Sequence, residues 1–207
     1  MKLNNSIVGI IDYQAGNIQS IENAFSHIGA RVQRVVNEQQ LMACTHVVLP
    51  GVGAFGFCAD NLRATGLIPG LERWAFEYRR PLLGICVGMQ LVSDSSEESA
   101  DTPGLGWLGG EVTRIPATSG IRVPHVGWNA VTFNSSFGDF AIGDEADFYF
   151  DHSFAYHQPR EGKIVGLCQH GQSFCAIIER DNIVATQFHP EKSQEAGLRF
   201  LKGFLLR

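Results

Sequence analysis

Short apolar runs separated by stretches of helical periodicity constrain this chain most. Ile7-Val8-Gly9-Ile10-Ile11, His46-Val47-Val48-Leu49 and Leu82-Leu83-Gly84-Ile85 read as strands buried on both faces. Between the first two, Ile18, Ile21, Phe25 and Ile28 recur at helical spacing, and Gly29 stands where a helix stops. Residues 32–36 read as a further strand and 38–43 as a short helix. Residues 57–80 read as one or two helices broken near 66–69. Strands alternating with helices pair in parallel through right-handed crossovers. The expected fold class is therefore α/β: a doubly wound, mostly parallel sheet with flanking helices.

The second half is strand-rich. Residues 111–115, 128–133, 147–150, 164–169, 174–179 and 183–188 are candidate strands, with Arg180-Asp181-Asn182 as a hairpin turn. A closing helix puts Leu198, Leu201 and Leu205 on one face. Residues 93–101, the most polar stretch, read as a helix end and loop. No repeat, linker or low-complexity segment divides the 207 residues, so residues 1–207 are expected to form a single domain. A net charge of −5 without a basic run argues against nucleic acid as a partner. The five cysteines are odd in number and none form C-x-x-C, which disfavours a zinc ribbon or disulfide framework. The polar start, residues 1–6, and a five-residue apolar run are too short for a signal-peptide core or membrane span. No membrane association is expected, and the expected compartment is the reducing cytoplasm.

Gly84-Ile85-Cys86-Val87-Gly88 follows an apolar strand and opens the apolar segment of Met89, Leu91 and Val92. This is the cysteine form of the strand–turn–helix nucleophile elbow. Such a turn exposes a strained central side chain, and flanking glycines let backbone approach closely. A helix N-terminus favours a thiolate, and the Val87 N–H is expected to point where an oxyanion would form. A buried structural cysteine in a glycine turn is the competing reading.

Phe188-His189-Pro190-Glu191 ends another apolar run. Pro190 holds His189 extended, so residues 189 and 191 can point the same way. Histidine serves as general base near neutral pH, and a carboxylate beside it sets its tautomer and stabilises its cation. A surface turn with an incidental His–Glu pair is the plainer alternative. His27, His46, His125, His152, His157 and His170 show no metal-ligand spacing, and structural or surface roles are their default. Pro50-Gly51-Val52-Gly53 follows the strand at 46–49, where α/β sheets bind ligands. It lacks a phosphate-binding pattern, and half of an oxyanion hole is the functional reading beside a simple tight turn.

Pro50-Gly51-Val52-Gly53, then Gly84-Ile85-Cys86-Val87-Gly88-Met89-Gln90, then Gln187-Phe188-His189-Pro190-Glu191-Lys192-Ser193 together resemble the triad (class I) glutamine amidotransferases. Further elements narrow the resemblance: Asp12-Tyr13-Gln14-Ala15-Gly16-Asn17, Ser96-Glu97-Glu98, Gly104-Leu105-Gly106-Trp107, Pro124-His125-Val126-Gly127-Trp128-Asn129 and Tyr149-Phe150-Asp151-His152-Ser153-Phe154. With them the whole chain resembles the glutaminase subunits of imidazole glycerol phosphate synthases. The resemblance implies a cofactor-free glutaminase in which Cys86 attacks the glutamine amide, His189 shuttles the proton and Glu191 orients His189. Val87, Gly51 and Val52 would stabilise the oxyanion after a peptide flip. Gly53, Gln90, Glu98, Ser153 and Phe154 would hold glutamine. Asn17, His125, Trp128 and Lys192 would meet a (β/α)8-barrel synthase subunit in a heterodimer. Ammonia would pass to that partner, giving imidazole glycerol phosphate and aminoimidazole carboxamide ribotide in histidine biosynthesis.

Gln14 stands where this family usually has glycine, Val126 where it has methionine, and Asp151 and Phe154 where it has valine and tyrosine. The alternative is the same chemistry serving a diverged barrel partner in surface-sugar biosynthesis. A cysteine peptidase or amidase of similar fold, or a catalytically silent docking subunit, are further rivals. The silent subunit would be expected to lack Cys86, His189 or Glu191.

Overall fold

The computed structural model describes residues 6–117 and 120–207; the polar start at residues 1–5 lies outside them. In the first half, β1 (Ile7–Ile11), α1 (Ile18–His27), β2 (Arg31–Val35), α2 (Glu38–Met42), β3 (His46–Leu49), α3 (Phe55–Ala64), α4 (Ile68–Glu72), β4 (Leu82–Ile85) and α5 (Val87–Gln90) alternate. A π-helical turn at Arg73–Glu77 continues α4. The second half holds β5 (Ser95–Ser96), β6 (Glu111–Arg114), β7 (His125–Phe133), β8 (Glu145–His152), β9 (Phe154–Tyr156), β10 (Lys163–His170), β11 (Gln172–Arg180) and β12 (Ile183–Thr186), then α6 (Gln194–Leu205).

Nine strands form one sheet in the order β2-β1-β3-β4-β12-β11-β10-β7-β8. Pairing is parallel from β2 through β12 and antiparallel from β12 through β8. The parallel half matches the expected winding, and the strand-rich second half extends it as a meander. The apolar runs sit where their composition demands: β3 and β4 are buried at every residue. Each such aliphatic side chain contributes about 1.5–3 kcal/mol of burial. Gly29 ends α1 with φ +89°, a left-handed value that glycine adopts without strain.

Two small strands have no counterpart in the sequence reading. β5 and β9 pair with β6 in a separate three-stranded sheet, and residues Glu97–Ser99 form a 3-10 turn. Residues 93–101 therefore lead into sheet structure rather than a plain loop. On α6, Leu201 and Leu205 are buried as expected and Leu198 only partly, and Phe200 and Phe204 complete the buried face. Phe200 meets Phe188, which stacks on Phe148 of β8 with ring centroids 4.0 Å apart. That cluster pins the chain just before His189. Among the described residues, no helix is long and apolar enough to cross a membrane.

Candidate active site

Strand register brings the three motifs together. β4 lies between β3 and β12, with Gly84 opposite Leu49 and Ile85 opposite Thr186. The residues that follow these strands therefore meet at one edge: Pro50-Gly51 after β3, Cys86 after β4 and Gln187 to His189 after β12. This is the carboxyl-end crevice where parallel sheets bind ligands.

Cys86 has φ 54° and ψ −110°, a conformation that costs a non-glycine residue about 1–3 kcal/mol. Its N–H donates to Thr186 O at 2.7 Å, which ties the turn to β12. The flanking glycines are a packing requirement. A Cβ on Gly88 would lie 2.0 Å from Leu49 O, and one on Gly84 2.8 Å from Gly88 O. One expectation is revised here. The helix after Cys86 has only four residues, so few peptide dipoles align behind the thiol. Its charge partner is His189 instead.

His189 lines the same cleft as the Cys86 thiol on one side. On the other, its Nδ1–H donates to Glu191 Oε1 at 2.9 Å. A carboxylate only accepts, so Nε2 is left for Cys86. Both His189 and Glu191 are buried. Burial pulls the imidazole pKa down, but the Cys86 charge and hydrogen bond, and then Glu191, outweigh it and lift it to about 10. The ring therefore stays protonated at neutral pH. Ser193 Oγ donates to His189 O at 2.6 Å and accepts from Tyr149 N–H at 3.0 Å, which locks the backbone under the ring.

The expected oxyanion hole is closed. The Val87 N–H, expected to face the substrate, donates to Gly51 O at 3.3 Å. In a planar trans peptide the Val52 N–H points opposite to the Gly51 carbonyl, away from Val87. Reversing this single peptide would free the Val87 N–H and bring the Val52 N–H beside it. Gly51 allows the approach: a Cβ there would lie 2.6 Å from Gly88 N.

A cleft of about 290 Å³ opens over Cys86. Val52, Gly53, Val87, Gln90, Glu98, Ser153, Phe154 and His189 all line it, as expected; Pro124, Asp151 and His152 also do. Glu98 Oε2 accepts from Phe55 N–H at 2.8 Å, leaving Oε1 for a ligand ammonium. Gln90 is more committed than its motif suggests. Its Nε2 donates to Phe154 O and to Gln187 Oε1, each at 3.1 Å, so only its carbonyl faces a ligand. Gln187, missed in the sequence reading, also donates to Cys86 Sγ at 3.7 Å. Its place beside Phe-His-Pro-Glu was the signal available.

Of the residues expected at a partner face, Trp128 is 48% exposed, beside Val126 at 55%. Lys192 Nζ lies over the Tyr149 ring at 5.5 Å, and Tyr149 meets Trp128 edge-on. Asn17 precedes α1 without a side-chain capping bond. His125 is the exception: its side chain is buried, stacked on His170 with centroids 3.9 Å apart, and does not reach that face. A carbonyl only accepts, so His152 Nδ1–H donates to Phe154 O at 2.8 Å. His152 Nε2 then accepts from His125 Nδ1–H at 2.9 Å, and His125 Nε2 from the Asn129 amide at 3.1 Å. The bond pattern makes both rings neutral. Burial, with the nearby His170, lowers His125 to about 4. Burial lowers His152 to about 3 against its bond to Phe154 O. Among the described residues, no group of three or more His, Cys, Asp or Glu side chains is placed to hold a metal.

Comparison with known proteins agrees with this geometry. The model of the family "Glutamine amidotransferase class-I" matches residues 9–207. Imidazole glycerol phosphate synthase subunit HisH of Zymomonas mobilis is 44% identical over 206 residues, 97% of this chain and 96% of that protein. Imidazole glycerol phosphate synthase hisHF, chloroplastic, of Arabidopsis thaliana is 43% identical over 206 residues, 97% of this chain and 34% of that longer protein. Among solved structures, PurLQS from Thermotoga maritima shares the fold at TM-score 0.77 and 18% identity, over 97% of this chain and 98% of that one. The chain belongs to the class-I glutamine amidotransferases.

Proposed function

We propose that this chain is the glutaminase subunit of an imidazole glycerol phosphate synthase. In this reading it hydrolyses glutamine and passes ammonia to a (β/α)8-barrel synthase subunit in histidine biosynthesis. The observation that carries the reading is the full-length 44% identity to a HisH subunit. The Arabidopsis relative, named hisHF, matches this chain over only 34% of its length. A glutaminase fused to a second unit in one polypeptide supports a tight pairing of the two.

The chemistry follows from the residues in the cleft. The Cys86 thiolate adds to the side-chain amide carbon of glutamine. The His189 imidazolium gives its Nε2 proton to the departing nitrogen, so ammonia leaves and a thioester remains. Neutral His189 then takes a proton from water, hydroxide adds to the thioester carbon, and collapse releases glutamate and the thiolate. Glu191 holds the ring in the tautomer that presents Nε2. Gln90 Oε1 and Glu98 Oε1 suit the ammonium of the bound amino acid.

Two oxyanions form along this path, and only a reversed Gly51–Val52 peptide offers two N–H donors to them. The closed hole supports gating: a partner that favours the reversed peptide would switch hydrolysis on only when an acceptor is ready. Gating also matters because released ammonia becomes ammonium in water and loses its nucleophilicity. Glutamate release by the purified chain should be slow alone. It should rise severalfold or more with the barrel subunit and its ribotide substrate. Equal rates with and without that subunit would refute the pairing.

A further inference from the structure

The Gly51–Val52 peptide sits between two held neighbours. On one side, the Tyr13 hydroxyl, buried near the start of the β1–α1 connection, donates to Pro50 O. On the other, the Cys58 thiol from the first turn of α3 donates to Val52 O at 3.5 Å. Both side chains are buried. Three successive carbonyls, of Pro50, Gly51 and Val52, thus have three different donors: Tyr13, Val87 and Cys58. The middle donor is the one the substrate oxyanion requires, so only the middle carbonyl has to leave. Reversing a peptide rotates the bonds on either side of it and keeps its two Cα atoms in place, provided the adjacent peptides do not turn with it. Gly16 packs so closely on Pro50 that a Cβ there would lie 2.8 Å from Pro50 Cβ. Pro50 is therefore held by contact as well as by the hydroxyl.

We infer that Tyr13 and Cys58 are positioning residues for the reaction: they clamp the peptides on both sides of Gly51–Val52, so that the oxyanion loop switches by one peptide reversal between fixed ends. Neither touches substrate. Without either clamp the reversal spreads into the neighbouring peptides, and the Val52 N–H no longer arrives at one position beside the Val87 N–H. The cost falls on the transition state, where the oxyanion forms, and not on the bound ground state.

This inference rests on the glutaminase reading above, and its test separates the two. Tyr13→Phe and Cys58→Ala are compared with the unaltered chain in complex with the barrel subunit. Each variant should lower partner-stimulated kcat for glutamine about fivefold, the loss of one buried hydrogen bond, with KM changed less than about twofold. The alkylation rate of Cys86 by iodoacetamide should not change, because that reaction forms no oxyanion. Cys58→Ser, which keeps a donor, should recover most of the lost kcat. Amide signals of Gly51, Val52 and Gly53 in nitrogen–proton spectra should be single in the unaltered complex and split or broadened in Tyr13→Phe and Cys58→Ala. Unchanged kcat, or KM and alkylation shifting together with kcat, would overturn the inference. If the unaltered complex showed no glutaminase activity, the functional reading would fall, and the amide signals would still decide on the clamp: splitting upholds it, unaltered single signals overturn it.

Discussion

Val52→Gly tests the closed oxyanion hole from the side of backbone energetics. The resting peptide is held by the Val87 N–H to Gly51 O bond of 3.3 Å, which contributes about 1 kcal/mol. Val52 does not lie in the positive-φ region. Reversing the Gly51–Val52 peptide turns φ of Val52 by about half a revolution into that region, at about 1–2 kcal/mol for an L side chain. Together these terms favour the closed form by about 2–3 kcal/mol, so roughly 0.6–3% of molecules are open at rest. The same sum sets a ceiling of about 30–160-fold on stimulation through this switch alone. Glycine removes only the backbone term, and Val52 is 43% exposed, so little packing is lost. Unstimulated kcat should therefore rise about 5–30-fold with KM for glutamine unchanged, and the stimulated rate should move by only about twofold. Coupled glutamate dehydrogenase reports both rates. An unchanged basal rate in a variant that keeps its stimulated rate would refute the reasoning.

Further perturbations follow from the same geometry. The raised His189 pKa, about 10, means the ring keeps the proton for the leaving ammonia until pH rises through that value. Glutamine turnover should hold across neutral pH and fall on the alkaline side, as a pH–kcat profile will show. Glu191→Gln removes one cause of the upward shift and the tautomer lock, so kcat should drop about 10²–10⁴-fold and the alkaline limb should move to lower pH. His125 and His152 have folded values of about 4 and about 3, below the ordinary value of about 6.5. Their contribution is complete above that ordinary value and is lost as pH falls toward the folded ones. Urea unfolding at pH 4.5 should be easier than at pH 7 by on the order of 2 kcal/mol per ring, and His152→Gln should flatten that slope. Gln14 has φ 63° and its N–H reaches Asp12 Oδ1 at 3.4 Å. Gln14→Gly should relieve up to about 1 kcal/mol of strain and raise Tm by about 2–4 °C in calorimetry.

The parts of the fold and site that depend on local pattern were legible in the sequence. The apolar runs of β1, β3 and β4 marked the parallel half, because strands buried on both faces have no polar alternation to blur them. Gly84, Cys86 and Gly88 marked the elbow, because Gly88 packs against Leu49 at the end of β3 and Gly84 against Gly88 itself. His189 and Glu191 lie two residues apart, so their bond is nearly a local matter. The rest needed the third dimension. β9 is three residues long and pairs with β6 from some forty residues upstream, which no periodicity reveals. Gln187 meets Gln90 and Cys86 only because β12 lies beside β4. His125 carries a polar type in an exposed-looking motif, and its burial follows from partners at His152 and His170 on other strands. The closed oxyanion hole is a choice between two orientations of one peptide, and the residue types at Gly51 and Val52 permit both.

The central claim is that Cys86 is the nucleophile that releases ammonia from glutamine for a second subunit. It is tested most directly with Cys86→Ala in complex with the barrel subunit, by following synthesis of the same product from glutamine and from ammonium salts. The account expects glutamine-dependent synthesis to vanish and ammonia-dependent synthesis to match that of the unaltered complex. Continued glutamine turnover by Cys86→Ala would contradict it.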